Sequence, residues 1–165
     1  MNTEAIDRLI ENVPNLIKSR EALEAMKEGT YCIHRSWGFG KITGFDTSSG
    51  EHGMLLIDFD EEDRKGHAMD PVFCLGKLEV LPETHILTRH RENPEEIELM
   101  AKKEPVSLII GILSECDNEC ATTREIEHVL LYLFGATKAK KWWTNTKKLL
   151  VLNTFTFYGD LRLIL

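Results

Sequence analysis

The sequence has 165 residues, among them four cysteines, six histidines and 27 acids, the groups from which a metal centre or an acid–base site would be built. Cys116-Asp-Asn-Glu-Cys120 comes nearest to a ligand pair, with Cys32, Cys74, His34 or His67 as further donors. Structural zinc sites draw on two closely spaced local pairs. Here the spacing is loose and a second pair is missing, so free, partly buried thiols in a reducing compartment are the expectation. His85 and His90 stand about a turn and a half apart on a short helical stretch, without an acid at ligand spacing, and read as surface histidines. Glu61-Glu62-Asp63 could pair carboxylates for proton transfer, but a charged run between strands reads as a solvated turn. Neither a Ser/His/Asp order, nor a phosphate-cradling glycine loop, nor an H-E-x-x-H motif occurs. The expectation is a non-catalytic chain that uses no metal, no cofactor and no small-molecule substrate.

Two other clusters suit binding. Lys138, Lys140, Lys141, Lys147 and Lys148 surround Trp142 and Trp143. Such a set can grip phosphates and stack bases, and a three-helix unit ending in a basic helix admits a helix-turn-helix reading. Both tryptophans, however, share a helical face with Leu149 and Leu150, so burial against Val129 and Leu133 is the simpler account. The second cluster is the turn Trp37-Gly-Phe-Gly40, preceded by His34 and followed by Lys41. His34, Trp37, Phe39 and Lys41 are the candidate partner-binding residues. The competing account makes Trp37 and Phe39 plugs of a small core.

The elements that position these clusters follow from periodicity. Ile6, Leu9, Ile10 and Val13 fall at helical spacing behind Thr3 as N-cap. Pro14 interrupts that helix, giving either a kink or a second helix that starts near Pro14 or Ser19 and carries Leu16, Ile17, Leu23 and Met26, with a stop at Gly29. From Gly29 to Leu81, short runs of β composition alternate with Gly, Ser and Asp clusters, the pattern of a small antiparallel barrel. Tyr31 to His34, Lys41 to Asp46, Met54 to Phe59, His67 to Met69 and Lys77 to Leu81 are its strands, with a tight turn at Asp70-Pro71. After Pro82 helices take over, one over Thr84 to His90 and others opening at Pro94 and Pro105. Thr122 and Glu125 form a capping box ahead of the stripe Ile126, Val129, Leu130, Leu133, Phe134. Gly135 ends that helix and Thr137 caps the last.

The fold class expected is therefore α+β: helices over 1–28, a Tudor/SH3-like barrel over 29–82, a helical domain over 83–150 and an atypical apolar tail over 151–165. A net charge of −7 argues against the whole chain coating nucleic acid. No apolar run approaches the roughly 18 to 20 residues of a membrane span. Met1 to Arg8 lacks the basic start and apolar segment of a signal peptide. The cytoplasm is the expected location.

The turn His34-Arg-Ser-Trp-Gly-Phe-Gly-Lys-Ile-Thr-Gly44, followed by an aliphatic strand ending Asp58-Phe59-Asp60, resembles Tudor/SH3-like barrels of bacterial transcription-associated proteins. It is similar to the C-terminal barrel of the UvrD/PcrA helicases and, more loosely, to the polymerase-interacting module of CarD-type regulators. With the flanking helices and the closing run Lys138-Ala-Lys-Lys-Trp-Trp-Thr-Asn-Thr-Lys-Lys-Leu149, the chain resembles the N-terminal extension of long-form GreA-type transcription elongation factors of Chlamydiae, Verrucomicrobia and spirochaetes. The resemblance implies a partner, RNA polymerase, met through exposed strand edges and aromatic loop residues. Nothing matches that family's cleavage-stimulating coiled coil, so an accessory role is implied. Polar sequence would be expected after the Lys/Trp run; the apolar stretch Val151 to Leu165 departs from this, as a truncated or frame-altered product would.

Overall fold

The computed structural model describes residues 1–116, 120–153 and 162–164. It divides into two compact units, Met1–Glu83 and Thr84–Leu165.

In the first unit α1 (Thr3–Asn12) is capped by Asn2, whose side chain accepts from the Ala5 amide at 2.8 Å. The cap thus falls one residue before Thr3. Pro14 starts a 3-10 helix (Pro14–Ser19), where its missing amide proton costs nothing, and α2 (Arg20–Ala25) follows. Arg20 ties the two helices together, donating to Asp7 at 2.5 Å and to Glu24 at 3.3 Å.

Strands β1 (Tyr31–His34), β2 (Gly38–Asp46), β3 (Met54–Phe59), β4 (His67–Met69) and β5 (Leu78–Leu81) make one antiparallel sheet in the order β4-β3-β2-β1-β5. The register skips Thr43 between the pairs Ile42↔Ile57 and Gly44↔Leu56, a bulge that bends β2. Strict alternation sends Leu55, Ile57 and Phe59 inward from β3. They join Ile6, Leu9, Leu23, Met26 and Ile42 in one core, each such side chain contributing about 1.5–3 kcal/mol. Gly40 lies against this core: a Cβ there would stand 2.8 Å from the Phe59 ring and 3.1 Å from the Asp58 carbonyl.

The expected barrel is an open sheet. β4 and β5 are its edges and do not pair with each other. Between them runs α3 (Pro71–Cys74), which the sequence suggested as a turn; Asp70 caps it by accepting from the Val72 and Phe73 amides at 2.7 and 3.2 Å. With only three and four residues in the edge strands, the hydrogen bonds available to close the barrel are few.

The second unit holds α4 (Ile86–Glu92), α5 (Pro94–Lys103), α6 (Pro105–Leu113) and α7 (Thr123–Asn153), with proline in the first turn of α5 and α6. β6 (Cys120–Thr122) pairs in parallel with β7 (Arg162–Ile164). The capping box is present: the Glu125 carboxylate accepts from the Thr122 amide at 2.7 Å, and the Thr122 hydroxyl accepts from the Glu125 amide at 3.3 Å. Helix α7 is broken at Gly135, where φ is 72° and ψ 163°, a conformation open almost only to glycine. Two arms result, 123–134 and 136–153. Ile126, Leu130, Leu133, Ala139, Trp143 and Thr146 are their buried face, with Leu108, Ile109, Ile112 and Leu113 buried on α6. Most of the apolar tail, including Thr154 to Tyr158, lies outside the described residues.

Candidate functional site

In the first unit the expected turn is tighter than the sequence suggested. His34↔Gly38 is the last pair of the β1–β2 hairpin, so the loop is Arg35-Ser36-Trp37, and Phe39 and Gly40 already belong to β2. Gly38, with φ 71°, supplies the left-handed residue that closes a three-residue hairpin loop. This register corrects two of the proposed contacts. Phe39 is a buried strand residue, 3% exposed, with its ring 5.4 Å from that of Tyr31. His34 is 5% exposed; its Nδ1 accepts from the Ser36 amide at 3.2 Å, and its imidazole stacks on the Trp37 indole at 4.5 Å. Burial, then the charges of Lys77 and His67, holds His34 below the usual histidine pKa.

Trp37 is half-buried and anchors an aromatic cluster. His67 meets it edge-on at 4.3 Å and Phe59 at 5.5 Å, and the Arg64 guanidinium lies 6.0 Å above the ring. The indole is therefore held by contacts on several sides and stays half-buried. Lys41 extends along β2 with its ammonium 4.5 Å above the Tyr31 ring and 3.3 Å from that residue's hydroxyl. Trp37 and Lys41 are the two of the four candidates that reach the surface.

In the second unit the five lysines do not act alike. Lys138 is bound to Glu98 at 3.1 Å and lies over Phe134; Lys147 lies 5.3 Å above Trp143. Lys140, Lys141 and Lys148 are exposed. The tryptophans are structural. Trp143 is 1% exposed, and Trp142 donates from Nε1 to the Ala101 carbonyl at 2.9 Å while tilting against Phe134. Trp143 therefore offers no ring face for a base to stack on, and Trp142 is half-buried.

The remaining candidates resolve as follows. Cys32 and Cys74 are buried free thiols, both pushed up to about 12 chiefly by burial, and so carry no thiolate near neutral pH. Cys116 donates to the Ile112 carbonyl at 3.4 Å; residues 117–119 of the Cys116–Cys120 run lie outside the described residues. Among the described residues no group of three or more His, Cys, Asp or Glu is placed to hold a metal ion, and no helix is long and apolar enough to cross a membrane.

His85 is the residue the sequence misplaced. It is largely buried, caps α4 by accepting from the Leu87 amide at 3.2 Å on Nδ1, and meets Glu115 at 3.2 Å through Nε2. The other Glu115 oxygen accepts from the Ile86 amide at 2.5 Å. With Nδ1 occupied as an acceptor the ring is neutral and its proton sits on Nε2. Burial accordingly keeps the His85 pKa below the usual range despite the carboxylate. The acid lies thirty residues downstream, beyond the reach of local spacing.

Residues 87–156 match the model of the GRAD helix-turn-helix domain family. Over 144 residues the chain is 24% identical to a GreA-associated domains protein of Treponema pallidum (strain Nichols), an alignment covering 87% of this chain and 21% of that protein. The chain thus spans about a fifth of that relative. No solved structure matches. Together these similarities support a GreA-associated domain.

Proposed function

We propose that the chain is a non-catalytic, cytoplasmic interaction module, the accessory region of a GreA-like transcription elongation factor, and that it docks on bacterial RNA polymerase. The observation that carries this reading is the similarity to a GreA-associated domains protein across 87% of the chain. The first unit supplies a suitable surface. Its open sheet, read as a Tudor/SH3-like module, leaves β4 and β5 each with one unpaired side in the sheet order, and such edges accept a strand from a partner. Beside β4, Trp37 is held rigid by His34 and His67, as suits an interface anchor that loses little entropy on binding.

Retention of purified core RNA polymerase on the immobilised chain tests the proposal. Wild-type chain should retain the enzyme, and Trp37→Ala should weaken retention while the far-ultraviolet circular dichroism stays unchanged. Absence of retention removes the polymerase reading; retention indifferent to Trp37→Ala removes the aromatic anchor from it. Phe39→Ala is a core substitution and belongs to stability, not to docking.

A further inference from the structure

The break at Gly135 opens a recess of about 370 Å³ between the two arms of α7. Glu127, Leu130 and Leu131 line it from the first arm, and Ala136, Ala139 and Lys140 from the second. Each trio has the i, i+3, i+4 spacing of a single helix face. Leu130 and Ala139 are the buried members, whereas Leu131 is 45% exposed and Glu127, Ala136 and Lys140 also reach solvent. A lone exposed leucine needs no explanation. The sorting does: large apolar side chains and an acid stand on one arm, small apolar side chains and a base on the other. The wider charge follows the same division. The first arm carries Glu125 and Glu127 against Arg124, and the second carries five lysines and no acid. Among the described residues neither the Glu127 carboxylate nor the Lys140 ammonium makes an ion pair.

We propose that this recess is the contact between two copies of the chain, the first arm of each laid on the second arm of its mate about a two-fold axis. An isologous contact needs a surface complementary to itself, and crossing the arms makes this one so. Leu131 of each copy then enters beside the small side chains Ala136 and Ala139 of the other, where the absence of bulk leaves room for it. The same crossing sets Glu127 against Lys140, twice per dimer. Pairing like arms instead would bring acid to acid, base to base and leucine to leucine. Partners of one charge sign fit less well, since an acidic segment is repelled by Glu127 and a basic one by Lys140. A second copy carries both signs at the required places. Six lining residues a side fall well short of the about 20–30 of a stable interface, so the dimer is weak and forms with concentration. It does not depend on polymerase docking, which the first unit would carry.

Sedimentation equilibrium of the intact chain is the test, run from about 10 µM to 1 mM in about 50 mM salt so that weak, charge-assisted association is visible. The weight-average mass should climb from that of one chain toward that of two. Leu131→Ala should weaken association about tenfold or more by emptying the recess. Leu99→Ala, at a residue 52% exposed on α5, should leave it unchanged. Glu127→Lys and Lys140→Glu move the net charge in opposite directions, yet each should weaken association about tenfold or more by setting like charges together. An equimolar mixture of these two variants should associate again, because each mixed pair restores two contacts of opposite charge. All four positions are exposed, and far-ultraviolet circular dichroism should show no change of fold. A single-chain mass at every concentration would assign the recess to another occupant and overturn the proposal. Equal loss in Leu99→Ala, or a mixture that associates no more than its components, would overturn it as well.

Discussion

Gly135→Ala probes the feature on which the helical unit turns. At φ 72° and ψ 163° the residue occupies a region that a Cβ disfavours by about 1–3 kcal/mol. Nothing lies within 4 Å of where that Cβ would be, so backbone strain is the whole native-state penalty. The unfolded chain loses freedom when alanine replaces glycine, which returns about 0.4–1 kcal/mol. The net expectation is destabilisation of about 1–2 kcal/mol, or a urea midpoint lowered by about 0.5–1 M for a slope near 2 kcal/mol/M. Tryptophan fluorescence in a Trp37→Phe background reads the second unit alone, through Trp142 and Trp143. Gly111→Ala is the paired control. It sits inside α6 with only the Ile86 Cδ1 at 3.8 Å from its Cβ position, and should stabilise by about 0.5–1 kcal/mol. A Gly135→Ala midpoint equal to or above wild type would mean that the two arms do not need the break at this residue, and the strain argument would fail with it.

Further outcomes follow from single contacts. Gly40→Ala should cost about 1–3 kcal/mol by overpacking, because its Cβ would stand 2.8 Å from the Phe59 ring and 3.1 Å from fixed backbone; thermal unfolding followed at Trp37 measures it. Trp142→Phe forfeits the hydrogen bond to the Ala101 carbonyl and should cost about 0.5–1.5 kcal/mol by urea titration beyond its packing loss. Trp143→Phe has no such bond to lose, since its buried Nε1 has no partner among the described residues. Stability should also depend on pH through His34, His85 and His90, whose folded-state pKa values are all lowered, first of all by burial. The unfolded chain then binds more protons than the folded one below about 6.5, so the contribution is complete above that pH and is lost as pH falls through the folded values. The urea midpoint should drop between pH 7.5 and 5.5, and His85→Asn, which keeps a capping acceptor but cannot titrate, should shrink the drop; an unchanged pH dependence would remove His85 from this account.

Local patterns carried most of the fold and little of the site. Prolines at helix starts, the Thr122–Glu125 box, the glycine break and the alternation of β3 are legible because each depends on residues a few positions apart. Strand closure is not of that kind: whether β4 reaches β5 is decided by what fills the space between them, here a four-residue helix that Asp70 caps. The same limit explains His85, whose partner Glu115 arrives through the packing of the helical unit and not through spacing.

The two binding clusters show the limit most sharply, because residue type alone assigns the same role to every member. In the hairpin, a one-residue difference in where β2 begins decides which side of the sheet an aromatic faces. With Gly38 paired to His34, Phe39 becomes strand and is buried, while Trp37 stays in the loop. On the second arm of α7 the 3.6-residue period sorts five lysines into a stripe of three and two outliers that already hold Glu98 and Trp143. The tryptophans, which made the segment look like a base-stacking surface, are what fixes that stripe's orientation, since burying Trp143 turns Lys141 and Lys148 outward. The residues that make this arm basic and those that hold it in place are therefore separable, so charge reversal at Lys140 can test association without unfolding the helix that presents it.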